Sequence, residues 1–362
     1  FPLATDASNA AVQVLKEGEV QGSDVAAHSA GVLDIRTNIL ADTDALYLTA
    51  IDKYGHELWR WTFPVNKLNQ QTEQLSPLSS RPTYTETEND LTVKANKRTF
   101  IFSKKDGQLK GVSVDNRKIS FANGPRFIGA RRADRSLDQF YNHDDEKAKE
   151  KDRTYSEFPD AAVFTKLDVK EDGGNLVVTA NYKLGNLDKA QWTINPSGDL
   201  ALDYTYNFSG VVDLMGIRFD YPEDQVISKH WLGAGPYRVW QNRIHGTQYD
   251  VWENDYNDPI PGETFTYPEF KGYFGDVSWM NIQTKEGTIS LTNETPDAYI
   301  GVYQPRDGRD RLLYTLPESG ISVLNVIPPV RNKVNSTDLC GPSSQPKWVN
   351  GPQTGRVIFR FM

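Results

Sequence analysis

Long helical periodicity is almost absent from this chain, and that constrains its fold more than any other feature. Apolar residues instead alternate with polar ones over runs of four to eight positions, the period at which successive side chains leave opposite faces of a strand. Asp-Gly, Asn-Gly or Pro-Gly pairs close the runs, and their backbone tolerates the positive φ of tight hairpins. The stretch DLTVKANKRTFIFSKKDGQLKGVSVDNRKI, residues 90–119, shows this most clearly: two strands, a turn at Asp106-Gly107, a third strand and a further turn near Asn116. Such a meander opens a broad antiparallel sheet, which NLVVTANYKL, KAQWTINPSGDLALDYTYNF and GTISLTNE continue. The expectation is an all-β chain.

At 362 residues the chain exceeds the roughly 250 residues that one sandwich or barrel reaches, so it reads as two domains. Residues 31–65 carry three strand candidates, GVLDIRTNI, ALYLTAID and HELWRWTFPV, with DKYG as the turn between the last two. That spacing suits a small immunoglobulin-like sandwich over residues 1–70, its N-terminal part irregular. Between Asn66 and Asp90 the apolar periodicity gives way to Gln, Ser, Thr and Pro, the composition of an extended connector. The linker is placed at 71–90 and the large sheet structure at 91–362. The charged run His143 to Glu157 reads as solvated surface, in a short helix or a loop.

With 38% hydrophobic residues and no apolar run of membrane-spanning length, a globular chain without membrane insertion is expected. The net charge of -8 comes from intermingled acids and bases, which argues against nucleic acid and favours a neutral or mildly polar partner. Cys340 stands alone, so no intrachain disulfide is available. The five histidines are scattered without zinc-type pairing. Glu253, Asp255, Asp258 and Glu263 offer oxygen for calcium but lack the spaced loop of an EF-hand. No cofactor is expected, calcium being a remote case. Phosphate-cradling, dinucleotide and serine-nucleophile motifs are absent. The chain opens at Phe1 without methionine or an apolar leader, so either a targeting peptide has been removed or these residues belong to a longer protein, the second being expected.

One window stands out. Trp231, Tyr237, Trp240, Trp252, Tyr256, Tyr267, Tyr273 and Trp279 fall within about fifty residues, interleaved with Arg238, Asn242, Arg243, Glu253, Asn254 and Asp255. A neutral sugar presents an apolar face that an aromatic ring can cover and hydroxyls that planar amides, carboxylates and guanidinium groups can satisfy. The carbohydrate-binding candidates are Trp231, Tyr237, Arg238, Trp240, Arg243, Trp252, Tyr273 and Trp279. The alternative is that these rings fill the space between two sheets. Gly233, Gly235 and Pro236 read as a rigid corner that aims the side chains after it, with Arg243 bracing the loop through Asp250 or Glu253.

The segments NGPRFIGARRADRS and KHWLGAGPYRVWQNRIHGTQYDVWENDYND resemble the C-terminal region of family 2 glycoside hydrolases, the β-galactosidase group. In that family a Gly-x-Gly-Pro segment leads through an aromatic position to an Asp-Arg pair. Gly233, Gly235, Pro236, Trp240 and Arg243 hold those places, with Asn242 where the Asp is usual. LYLTAIDKYGHELWRWTFPV resembles the family's immunoglobulin-like domain, and GRVIFRF its closing strand. The resemblance implies a large β-supersandwich, galactose mutarotase-like, whose loops reach the rim of a sugar site. It implies that the two catalytic glutamates sit in a (β/α)8 barrel, of which this chain shows no helix-strand alternation. Asn293-Glu294 copies the family's acid/base dipeptide, but at the end of an alternating strand it reads as a turn.

The reading that follows is a non-catalytic C-terminal part of a β-galactosidase-like hydrolase, with a galactoside or polysaccharide-derived oligosaccharide and the catalytic barrel of the same protein as partners, periplasmic or secreted. Two others stay open. One is a self-contained mutarotase-like epimerase or polysaccharide lyase using His230, His245, Tyr237 and Arg243. The other is a stand-alone carbohydrate-binding module.

Overall fold

The structure is a computed structural model and describes residues 14–35, 43, 45–65, 80–132, 155–255, 272–302, 317, 319–329 and 342–362. Among these, all regular structure is strand apart from two single 3-10 turns at Glu223–Gln225 and Pro342–Ser344. The chain divides into two compact units, Phe1–Thr72 and Glu73–Met362.

In the first unit β1 (Ala45–Ile51) and β2 (Glu57–Pro64) form an antiparallel hairpin. Its turn is DKYG: the Asp52 carboxylate accepts the Tyr54 and His56 amides at 2.8 and 2.9 Å, and Gly55 supplies a φ of 87°. An Asp that bonds the backbone two and four residues on replaces ladder bonds at the bend. The third expected strand, 31–39, has no strand over its described residues 31–35. This hairpin is the only strand pairing among the unit's described residues.

The second unit begins within the segment read as a linker, because β3 (Thr83–Glu86) already pairs with β4 (Asp90–Ala95). Its next strands are β5 (Arg98–Ser103), β6 (Leu109–Val114), β7 (Arg117–Ile119), β8 (Ala122–Arg132) and β9 (Tyr155–Glu157). Then come β10 (Val163–Asp172), β11 (Asn175–Lys183), β12 (Leu187–Ile194), β13 (Leu200–Val212) and β14 (Leu214–Asp220). The chain continues through β15 (Val226–Gly235), β16 (Gln248–Asp255), β17 (Trp279–Thr284), β18 (Gly287–Asn293), β19 (Tyr299–Val302), β20 (Ile321–Val326) and β21 (Lys347–Phe361). Of the charged run from His143, the last residues form β9; positions before Tyr155 lie outside the described residues.

Two antiparallel sheets result. One has nine strands in the order β10-β11-β12-β13-β21-β18-β17-β15-β16. The other follows β19-β20-β14-β8-β6-β5-β4-β3, with β7 beside β6 and β9 beside β8. Hairpins between sequential strands close on residues that accept positive φ, Asp115 and Asn116 at 48° and 64°, and Gly173 and Gly174 at 58° and 90°. The sheets pack face to face over a core that alternation builds: Leu200, Leu202, Tyr204 and Tyr206 of β13 turn inward with Phe359 and Phe361 of β21. From the opposite sheet come Phe102, Phe127 and Phe219. Rings meet across the interface, Phe219 with Phe359 at 5.3 Å, Phe127 with Tyr206 at 5.4 Å and Phe102 with Trp192 at 5.9 Å. Each such ring, taken from water, contributes about 1.5–3 kcal/mol. A second, smaller cluster lies on the back of the ten-stranded sheet, around Ile128, Ala130, Leu214 and Leu324.

Candidate functional site

The segment GAGPYRVWQNR, residues 233–243, leaves the end of β15 and feeds that second cluster. At Gly235 a Cβ would overlap the ring of Trp252, so only glycine lets that indole lie flat on the backbone. The Trp252 Nε1 donates to the Gly233 and Gln248 carbonyls at 3.2 and 3.1 Å. Beyond Pro236, Val239 pairs with Tyr273 through two backbone hydrogen bonds of 2.7 and 2.8 Å. Trp240 meets the Tyr273 ring edge-on at 5.7 Å. Gln241 closes the corner: its amide donates to Pro328 O at 3.1 Å, and its Nε2 to Ser343 O and Gln345 O at 2.9 and 2.6 Å. Asn242 Nδ2 reaches Ser344 Oγ at 3.2 Å. This is a braced frame, held by backbone and amide groups.

Six of the eight sugar candidates go to three places, and Tyr237 and Arg243 stay on the corner between them. Trp231 and Trp252 are register partners on the inner face of the nine-stranded sheet; Trp231 is wholly buried, its Nε1 bonded to Ala234 O at 3.1 Å and its ring 4.9 Å from Phe274. Trp240 and Tyr273 are buried in the second cluster, and Arg238 is buried with its guanidinium 5.9 Å from the Phe274 ring. Trp279 stands opposite Leu232 in the ladder, one residue along from Trp231, and so takes the other face of the sheet. Tyr237 is half-buried and Arg243 exposed. No single groove collects all eight. Tyr256, Tyr267, Asp258 and Glu263 lie outside the described residues. Asn293 donates to the Val277 and Thr295 carbonyls at 3.2 and 3.3 Å, and Glu294 ion-pairs with Arg356 at 2.7 Å. That dipeptide caps a strand.

The most unusual chemistry lies on the outer face of the nine-stranded sheet. Strand register sets five polar residues in one row across five strands: Glu253, His230, Asn281, Ser290 and Arg360. Asp199 ends the row, clasping Arg360 with bonds of 2.7 and 2.9 Å. The middle of the row is sealed. Asn281 is 1% exposed, yet neither its Nδ2 nor its Oδ1 has a hydrogen-bond partner among the described residues. Trp279, on the same strand and face, is 4% exposed, and its Nε1 is likewise without a partner among the described residues. Leaving such groups dry costs about 1–3 kcal/mol each. On either side of Asn281, His230 and Ser290 are half-buried and Glu253 is exposed.

His230 packs edge-on against Trp279 at 5.2 Å. Burial pushes its imidazole below the usual range, and the nearby Glu253 carboxylate pulls partly back. The ring is therefore neutral at pH 7 and offers one donor and one acceptor. Sequence reasoning named Trp279 and His230 but not Asn281. Its one signal was a carboxamide between two core positions, Met280 and Ile282, in a six-residue strand. Among the described residues no group of three or more His, Cys, Asp or Glu side chains could hold a metal.

Comparison with known proteins adds to this. The chain is similar to a galactose 1-epimerase from Lactobacillus acidophilus NCFM at 9% identity, over 78% of this chain and 99% of that one, with a TM-score of 0.41. It is similar to a GalM/aldose epimerase homologue from C. elegans at 7% identity, over 78% and 99%, TM-score 0.37. A copper-containing benzylamine oxidase from Hansenula polymorpha aligns at 7% identity over 87% and 68%, TM-score 0.31. Curated protein sequences give no match. The family described as beta galactosidase small chain matches residues 94–328. That match covers more than half of the chain and runs from β4 to just past β20, through both sheets and the polar row's β15, β16, β17 and β18, and so this chain belongs to the beta-galactosidase small chain family.

Proposed function

We propose that this chain is the non-catalytic part of a β-galactosidase-like glycoside hydrolase of family 2, supporting and partly lining a carbohydrate site. The observation that carries the reading is the match to this family, and the outer polar row supports it: half-buried His230 and Ser290 and exposed Glu253 stand in it, and planar polar groups of this kind are what sugar hydroxyls satisfy. Tyr237 and Arg243 keep surface for a second contact at the rim. Retaining hydrolysis needs two carboxyl groups about 5–5.5 Å apart, and these would come from a barrel elsewhere in the same protein, in the periplasm or outside the cell. The purified chain is expected to bind methyl β-galactoside weakly by calorimetry and to leave an aryl β-galactoside intact. Turnover at about 1 s⁻¹ or faster overturns the reading.

A second reading has one observation in its favour. A neutral His230 beside the Glu253 carboxylate is the form a general base takes, which suits an epimerase acting at a sugar's anomeric centre. Polarimetry on fresh α-galactose decides it: acceleration that His230→Ala abolishes supports the epimerase, and a rate equal to buffer removes it.

A further inference from the structure

Asn-Gly occurs twice in the chain, at Asn123-Gly124 and Asn350-Gly351, and the fold treats the two dipeptides in opposite ways. We infer that Asn350 is a site of self-modification: the Gly351 nitrogen attacks the Asn350 carboxamide with the help of Ser209, and the chain ages there to aspartate and isoaspartate. The site is independent of what the chain binds.

Asparagine is a labile residue, but it loses ammonia by this route only where the next backbone nitrogen can leave its hydrogen bond and fold back on the side chain. A glycine, without Cβ, allows that motion best. Gly351 meets the need. It lies in β21 at a φ of 91°, and a Cβ there would meet open space. On one side β13 is the register partner, Ser209 facing Asn350 and Phe208 facing Gly351. On the other, β18 pairs with β21 only from Val357 to Phe361, so among the described residues no strand covers Gly351 there. Asn350 and Ser209 are both exposed.

Ser209 joins the two reacting groups. Its Oγ donates to Asn350 Oδ1 at 2.9 Å, which draws electron density from the carboxamide carbon, and it accepts the Gly351 N–H at 3.4 Å, a contact long enough to hold the nitrogen weakly. One hydroxyl can therefore take the amide proton while passing its own to Oδ1. The new bond joins Gly351 N to Asn350 Cγ. The tetrahedral carbon then expels Nδ2 as ammonia, its hydroxyl proton leaving with the nitrogen, and a five-membered imide remains. Solvent water opens the imide at Cγ to give aspartate, or at the main-chain carbonyl to give isoaspartate. One water is taken up and one ammonia released, and nothing is oxidised or reduced.

Asn123 lacks this freedom. Its Nδ2 donates to Asp220 Oδ2 at 2.9 Å, Gly124 is buried opposite Leu109, and Phe219 and the Arg218 carbonyl stand where a Cβ would go. Isoaspartate at position 350 adds a main-chain carbon to β21, and so throws the pairings of Val211 with Trp348 and Val212 with Lys347 out of register.

The test incubates the full chain at mildly alkaline pH in ¹⁸O-water, digests it in ordinary water and follows the two Asn-Gly peptides by mass. The label marks conversion in the folded chain and sets it apart from conversion during digestion. The expected result is labelled product at Asn350 with isoaspartate in excess of aspartate, at least tenfold faster than at Asn123 and no slower than in urea-unfolded chain. In urea the two sites should convert alike. Ser209→Ala should slow Asn350 several-fold and Ser209→Thr should restore the rate, with Asn123 still protected in both, which reports that they are folded. An Asn350 rate equal to that of Asn123, or well below that of the unfolded chain, overturns the site. Aspartate without isoaspartate overturns the imide route, and a Ser209→Ala rate equal to the native one overturns the part given to Ser209.

Discussion

At the scale of single residues, alternation along strands decides what each aromatic side chain can do. Trp231 and Trp279 resemble each other in the sequence window, yet one faces the core beside Phe274 and the other the outer row beside His230. Strand period alone places residues on opposite faces but does not say which face is covered, so the choice between the core and the outer face stayed open until the sheets were assembled. The Gly-x-Gly-Pro corner was legible, since Gly235 has no room for a Cβ against Trp252. Asn281 was not, because a polar residue at an alternate strand position is ordinary until its burial is known. His230 gives the prediction at this scale. Its folded imidazole titrates below the usual value of about 6.5, chiefly through burial, with Glu253 opposing. Stability linked to this group is therefore fully present above the unfolded value and is lost as pH falls from there through the folded one. Glu253→Gln removes the opposing charge, so the His230 midpoint should move lower still, read from its imidazole proton shifts by NMR. A midpoint that rises would show that Glu253 does not act on His230 as placed.

At the scale of elements, the longest pairing is that of β13 with β21, running in register from Leu200 opposite Phe359 to Val212 opposite Lys347. The strands themselves were readable: DLALDYTYNF and GRVIFRF alternate cleanly, and the turns between neighbours carry Asp, Asn and Gly. Their partnership was not readable, because it joins segments about 150 residues apart in sequence and no local pattern encodes which distant strand is adjacent. The early strand β3 was missed for a related reason, since TYTE is exposed at all four positions and carries no alternation. Side chains lock the β13–β21 register from the outer face, Arg360 on Asp199 and Arg356 on both Asp203 and Glu294 at 2.6 and 2.7 Å. Burial alone would raise the Asp199 carboxyl, but the hydrogen bonds and charge of Arg360 outweigh it and hold it below the usual range. Stability from this pair is present above the unfolded value of about 3.9 and is lost as pH falls through the folded one. Arg360→Ala should lower unfolding free energy by about 1–3 kcal/mol at pH 7, the scale of a charged hydrogen bond. Urea titrations at pH 7 and pH 3 should show that difference shrinking in acid. An equal loss at both would mean the arginine acts through packing alone.

At the scale of the molecule, the two units differ in how much apolar surface their described residues bury. The second unit's sheets close over a continuous aromatic core, whereas the hairpin of the first leaves Trp59, Trp61 and Phe63 at 42%, 44% and 48% exposure on one face of β2. A two-stranded hairpin is marginal in water without a packed face, and an exposed backbone ladder opens easily. The all-β class was legible from turn chemistry and the missing helical period, and the division near residue 72 falls in the polar stretch where apolar periodicity ends. How many strands surround the hairpin was not legible, because three short alternating runs fit several small sandwiches equally well. Hydrogen exchange on the full chain tests the contrast. Amides of β13 and β21, bonded on both sides between β12 and β18, should exchange only through global unfolding. Amides of β1 and β2 should exchange orders of magnitude faster and at a rate insensitive to Arg360→Ala. Equal protection in both units would mean that the aromatic stripe of β2 is covered in solution and that the hairpin shares the stability of the larger core.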